Sequence, residues 1–302
     1  MKKLLFFMAL SLNLHASELN HSDDIWTAVN RAETLAKKYG APHVLFASDL
    51  DNTLLKTNQD LASEPWFNWQ FELLGKPMTD ERIACDMPDL LHFFHVTISL
   101  SRVSPVQEDQ AKAIQQMQKA GINTMAITAR GDAVASATFA QLQANQIDFS
   151  KHNLAGDGYG APHIPWNIEN PEASGLTAKD VKRWNLKSAM PVLYQRGVLF
   201  SDGQNKAALL RTLIHKTKRD IKAVVFWDND EKNVHRVFDG FNAVNVEVAA
   251  IRASHQDTDI QRFNESNKTK VTDDYLALRK VLDGAYAYPR PCELPIDKKL
   301  KN

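Results

Sequence analysis

Short apolar runs that end in polar clusters recur along this chain and alternate with stretches of helical spacing. Residues 43–48, 123–128, 223–227 and 244–251 are such runs. A strand apolar at nearly every position is buried on both faces, the condition of a parallel sheet covered by helices. Between the runs, residues 23–39 repeat apolar side chains at three and four (Ile25, Ala28, Val29, Ala32, Leu35, Ala36) and stop at Gly40 with Pro42 beyond. Residues 64–74, 105–119, 133–145, 206–215 and 231–238 read as further helices, the last closed by Gly240. The alternation predicts an α/β fold with a mainly parallel sheet. Such a sheet gathers its chemistry beyond the carboxyl ends of its strands.

Other segments are less regular. Residues 93–99 fit a strand or a helix end equally well. Residues 191–194 and 198–201 flank Gln195-Arg196-Gly197, which is hairpin chemistry. Residues 151–189, rich in Gly, Pro, Asn and Trp, read as loops with one short helix, and the proline-bearing tail over 288–302 reads as irregular.

Two runs end in clustered acids. The run 43–48 enters Asp49-Leu50-Asp51-Asn52-Thr53 and the run 223–227 enters Asp228-Asn229-Asp230. A lone Asp after a strand is commonly a turn residue. Two at the end of a buried strand repel each other and require a cation or a shared proton. Their oxygens are the hard ligands magnesium prefers. The run 123–128 ends in Thr128, followed by Arg130 and Asp132; Arg130 is read as a substrate contact or as half of a helix-start ion pair with Asp132. Lys206 stands at a helix start, where a lone lysine is ordinarily a solvated charge.

In order these are Asp-x-Asp-x-Thr, Thr, Lys and Asp-x-Asp, each acidic or hydroxyl motif following an apolar run. The set resembles the four signature motifs of the haloacid dehalogenase (HAD) superfamily over about residues 44–251. The segments 194–206 and 224–234 are more narrowly similar to a family of exported bacterial HAD-like proteins catalogued as a domain of unknown function. The N-terminal start, with Lys2 and Lys3 before an apolar run, and the two acidic motifs loosely resemble class B acid phosphatases. The resemblance implies a Rossmann-like HAD core over 23–287 with cap segments inserted at about 55–104 and 151–200, both over the mouth of the sheet. It implies a phosphatase in which Asp49 attacks phosphorus, Asp51 exchanges protons with the leaving oxygen and the water, and Thr128 and Lys206 hold the phosphoryl group. Thr53, Asn52 and Arg130 are the candidate substrate contacts. Magnesium is implied as cofactor, held by Asp49, Asp51 and Asp228. The fourth motif departs from the narrower family, which begins with adjacent aspartates: Asn229 takes the second position. Asp230 is favoured as the second acid, with Asn229 as the weaker alternative. Two rivals remain: a phosphotransferase using the same intermediate, and a non-catalytic binding protein on the same fold.

Lys2 and Lys3, the apolar residues 4–12 and small Ala16 read as a signal peptide over 1–16, which makes the chain periplasmic or secreted. The run is too short to span a bilayer, so no membrane attachment is expected after cleavage. With 36 basic against 36 acidic side chains, a broad polyanion-binding surface is disfavoured and nucleic acid is not expected as the main partner. The expected partner is a small phosphorylated molecule. Cys85 and Cys292 are either a disulfide, which export permits, or two free thiols. Trp66, Trp69 and the phenylalanines between them are read as an apolar wall over the substrate or as core, and His92 and His95 as a surface or core pair before a metal pair.

Overall fold

The structure, a computed structural model, describes residues 17–154, 160–286 and 291–300. The signal-peptide reading therefore falls outside the described residues. Seven strands form one sheet: β1 (Glu18–Ser22), β2 (Val44–Ser48), β5 (Asn123–Thr128), β6 (Leu193–Gln195), β7 (Val198–Phe200), β8 (Ala223–Asp228) and β9 (Glu247–Ala253), in the order β1-β9-β8-β2-β5-β7-β6. Every pairing is parallel except β6 with β7. The fold is thus a mixed, Rossmann-like α/β architecture. Strands β2, β5 and β8 are buried at every residue, which their apolar runs require. The edge strand β1 was not anticipated: its Glu-Leu-Asn-His-Ser sequence is mostly exposed and carries no apolar pattern, and it forms by pairing with β9.

Helices cover both faces. On one lie α1 (Ile25–Tyr39), α4 (Gln110–Lys119) and α5 (Ala135–Ala144). On the other lie α6 (Ala178–Arg183), α7 (Lys206–Thr217) and α8 (Glu231–Asn242). Asp24 caps α1 by accepting from the Trp26 N–H, and Gly40 ends it at φ 89°, a backbone conformation that favours glycine. Helix α4 begins later than its sequence suggests. Residues 103–105 form a short strand, β4, and the Gln110 side chain accepts the Val106 N–H ahead of the first turn. Gly240 lies inside α8 rather than ending it; a Cβ there would come within 2.6 Å of the Trp184 ring. The hairpin turn is made by Arg196 and Gly197 at φ 50° and 76°, the left-handed pair that two-residue hairpins use.

The insertion at 55–104 is a cap on a two-stranded stem, β3 (Leu55–Thr57) against β4 (Val103–Pro105), carrying α2 (Glu64–Leu74) and α3 (Met87–Leu100). The undecided residues 93–99 are therefore helical. The cap is completed by α9 (Asp257–Glu265) and α10 (Thr269–Tyr286), whose Phe263, Val271 and Tyr275 share a core with Trp66, Leu90 and Phe93. Cys85 and Cys292 form a disulfide with Cα atoms 6.0 Å apart, fastening the C-terminal segment to the cap. That segment holds a short helix, α11 (Asp297–Leu300), where an irregular tail was expected. Among the described residues, none of the insertion at 151–200 lines the cavity at the mouth of the sheet. The insertion buries Leu154, Trp166, Leu176 and Trp184 against the apolar side chains of α7 and α8. No described helix is long and apolar enough to cross a membrane.

Far from the mouth, the Glu247 side chain is only 2% exposed and accepts from Lys38 Nζ (2.6 Å), Tyr39 Oη (2.7 Å) and Arg31 Nη2 (3.0 Å). Burial works to push its carboxyl up, but the hydrogen bonds from Lys38 and Tyr39 and the charges of Lys38 and Arg31 prevail and hold it below the usual glutamate range. A depressed carboxylate stabilises the fold above the unfolded pKa and loses that contribution as pH falls through the folded value. Glu247→Gln should therefore cost about 1.5–3 kcal/mol in urea denaturation at pH 7. The gap to the parent protein should close below the ordinary glutamate pKa. An equal gap at pH 7 and pH 3.5 would contradict this account.

Candidate active site

The carboxyl ends of β2, β5 and β8 and the cap enclose a cavity of about 250 Å³. Asp49 follows β2 directly, and its N–H donates to the Trp227 carbonyl of β8 (2.9 Å), which fixes it between the two strands. The chain then folds tightly: the N–H groups of Thr53, Leu54 and Leu55 all converge on the Leu50 carbonyl. This turn, with Asn52 at φ 55°, brings Asp51 and Thr53 back to the mouth.

Lys206, the first residue of α7, reaches across the strand ends. Its Nζ donates to Asp49 Oδ1 (2.5 Å) and Asp228 Oδ2 (2.7 Å), and all three side chains are buried. The solvated-charge reading of this lysine is therefore overturned. Burial opposes its charge, but Asp228 and Asp49 outweigh burial and hold the ammonium above its ordinary value. One ammonium does not satisfy two carboxylates. Burial pushes Asp49 up to about 7, against the attraction of Lys206 and with the added repulsion of Asp228 and Asp51. Asp228 moves up for the same first reason, burial.

The second oxygens of the two aspartates meet weaker partners. Thr53 Oγ1 is 3.1 Å from Asp49 Oδ2 and 3.0 Å from Asn229 Oδ1, and it accepts the Asn229 N–H. Asp228 Oδ1 accepts the Asp230 N–H (2.8 Å). Asp230, exposed at the rim, caps α8 by accepting the Lys232 N–H. Asn229 rather than Asp230 is thus the fourth-motif side chain that faces Asp49 through Thr53.

Arg130 pairs with Asp51, not with Asp132. Its Nε and Nη2 donate to the two Asp51 oxygens at 2.8 and 2.7 Å, and Nη1 donates to Gln141 (2.6 Å) and Thr138 (3.0 Å). The guanidinium lines the cavity but acts first as the clamp that orients Asp51. Thr128, fully buried at the end of β5, accepts the Arg130 N–H through its hydroxyl (3.2 Å).

Glu64 was missed from the sequence. It is half-buried at the start of α2, and its Oε2 accepts from Asn52 Nδ2 (2.7 Å) and Asn229 Nδ2 (3.2 Å). Asn52 is thereby engaged in joining the cap to the core. Burial pushes the Glu64 carboxyl up to about 8, reinforced by Asp49 and Asp51 and opposed by the two amide donors. An acid in the first turn of a helix ordinarily answers the helix dipole, so nothing local marks this one as part of a site.

Of the expected apolar wall, Phe67 lines the cavity while Trp66 and Trp69 do not. Trp66 is buried in the cap core and Trp69 packs on Phe263; the side chains that line the cavity are Phe67, Leu91, Phe94 and His95. His92 is exposed and does not line it.

Six carboxylates (Asp49, Asp51, Glu64, Asp202, Asp228, Asp230) line this cavity against two fixed cations, Arg130 and Lys206. Among the described residues no three His, Cys, Asp or Glu side chains form a complete metal cage. Magnesium does not need one, since it keeps several waters and takes one or two carboxylates plus substrate oxygens. The oxygen-only donor set, with more acidic than basic side chains around the cavity, fits such an ion.

Fold and site together define an α/β protein with a buried acid–lysine centre at the carboxyl edge of a parallel sheet, closed by a helical cap. The chain belongs to the family described as "Protein of unknown function (DUF2608)", which matches residues 18–287. No curated protein and no solved structure matches it.

Proposed function

We propose that this chain is an exported phosphomonoesterase of the HAD type that transfers the phosphoryl group through Asp49. The observation that carries the reading is the contact of Lys206 with both Asp49 and Asp228 in a cavity that Asp51 also lines. A carboxylate at a strand end, backed by a buried ammonium, is a fixed nucleophile whose charge is balanced as phosphorus is attacked. Asp49 Oδ forms the bond to phosphorus while the ester oxygen leaves with a proton from Asp51. Water then attacks the phosphorus of the aspartyl phosphate, returns a proton to Asp51, and releases phosphate and free Asp49. The Arg130 fork fixes the direction from which Asp51 works. Lys206, which lines the cavity, is suited to the phosphoryl oxygens, whereas Thr128 is fully buried at the end of β5 with its hydroxyl accepting the Arg130 N–H. Asp49, Asp228 and the Asp51 carbonyl, with Asn229 or Asp230, would hold magnesium, which when bound neutralises the charge of the phosphoryl group.

The test is release of para-nitrophenol from its phosphate by protein lacking residues 1–16, with magnesium and with chelator. Release with magnesium that falls at least about tenfold with chelator is the expected result. Added alcohols separate hydrolysis from transfer: product phosphate esters of the alcohol would identify a phosphotransferase. Absence of release with every divalent cation, together with measurable binding of a phosphate ester, would favour the non-catalytic binding protein.

A further inference from the structure

The cavity has two unlike halves. Its floor is the acid–lysine centre with Arg130, and its roof is mainly apolar, made by Phe67 of α2 and Leu91 and Phe94 of α3, with the polar Asn68 also contributed by α2. The Phe67 and Phe94 rings meet at 4.9 Å between centroids and 58°, so they brace each other in fixed orientations. All three apolar side chains are only half-buried although the cap core lies directly behind them, with Phe93 and Trp66 turned inward. The helix therefore divides its aromatic residues: Phe93 faces the core and Phe94 faces the cavity. His95 extends the wall, and burial holds its imidazole below the ordinary value.

A phosphate over Asp49 directs its ester substituent away from the strands, toward this roof. We infer that the substrate is a phosphate monoester bearing a single aromatic ring close to the ester oxygen, with the ring seated against Phe67, Leu91 and Phe94. The inference rests on the phosphomonoesterase reading. The size agrees: an apolar cavity of about 150 Å³ accepts benzene, and about 250 Å³ leaves room for one phosphoryl group beside a ring. Short polar esters such as sugar phosphates would leave the roof against water.

The experiment compares benzyl phosphate with ethyl phosphate, whose leaving alcohols are close in acidity, so the ring and not the leaving group is read. The expected kcat/KM is at least about tenfold higher for benzyl phosphate, the yield of burying one ring. Phe94→Ala should collapse that ratio at least about fivefold, and Phe67→Ala provides the same readout if the first variant folds poorly. In parallel, calorimetry compares benzylphosphonate and ethylphosphonate, which bind without turnover. Equal kcat/KM for the two esters, or a ratio unchanged in both variants, would overturn the inference and leave the phosphatase reading standing. Hydrolysis of neither ester with tighter binding of benzylphosphonate would support the ring site and count against the phosphatase reading. Neither hydrolysis nor preferential binding would overturn both.

Discussion

Asp49→Asn should abolish turnover, by about 10⁴-fold or more, while leaving the cation-free protein at least as stable as its parent. The first half follows from chemistry: an amide does not form the bond to phosphorus that a carboxylate forms. The second half follows from the surroundings of the residue. Asp49 shares one ammonium with Asp228, and burial has pushed its carboxyl up to about 7. A group whose folded pKa is raised contributes stability that is complete below the unfolded value and is lost as pH rises through the folded one. Wild-type protein should accordingly lose stability from about pH 4 to above pH 7, whereas the Asn variant has no such proton to lose. Hydrolysis assays beside thermal denaturation at pH 5 and pH 8, both with chelator, give the answer. A variant that is inactive but markedly less stable at both pH values would make Asp49 a structural residue. Full activity in the variant would remove it as nucleophile.

The positions of the central motifs were readable because each is set by a local rule. Residues 44–47, 125–127 and 223–227 are apolar, so the burial and parallel pairing of their strands follow from composition, and the polar residues at or just past each strand end, Asp49, Thr128 and Asp228, fall at the carboxyl edge of the sheet. What sequence did not yield depends on packing between distant segments. Glu64 reaches the site only because the cap folds down on Asn52 and Asn229. Residues 257–286 have no motif, yet they complete the cap core around Phe93 and Trp66. Helix α3 was ambiguous because Phe93, Phe94, Val96 and Ile98 are apolar in close succession, one group turned to the core and another to the cavity or stem. Gly240 reads as a helix stop until Trp184, brought in by the second insertion, explains why no side chain fits there. Residues 244–246 are apolar in part but form the turn after α8, where the Val246 N–H donates to the Phe241 carbonyl, so β9 starts three residues later than its sequence suggests. Arg130 was identified as important, but its bidentate grip on Asp51 required the two loops to be seen side by side.

Lys206→Met should destabilise the cation-free protein by about 3–5 kcal/mol near pH 8, far more than a surface lysine would. The methionine fills a similar volume, so the loss is electrostatic: two buried carboxylates, Asp49 and Asp228, are left without the ammonium that meets both. Both already have raised pKa values with the lysine present, and burial is the leading cause in each case. Removing the cation raises them further. Protonation then relieves the repulsion, so the deficit should shrink toward pH 5 and grow as pH rises, the sign expected of raised folded pKa values. Combining Lys206→Met with Asp49→Asn should recover much of the loss at pH 8, because one carboxylate in place of two remains to be buried. Urea denaturation of the parent, both single variants and the double variant at pH 5 and pH 8 supplies the full cycle. Additive losses would mean that Lys206 stabilises the fold by packing alone. Coupling that vanishes at pH 5 would identify it as the charge that makes a buried nucleophile compatible with a folded protein.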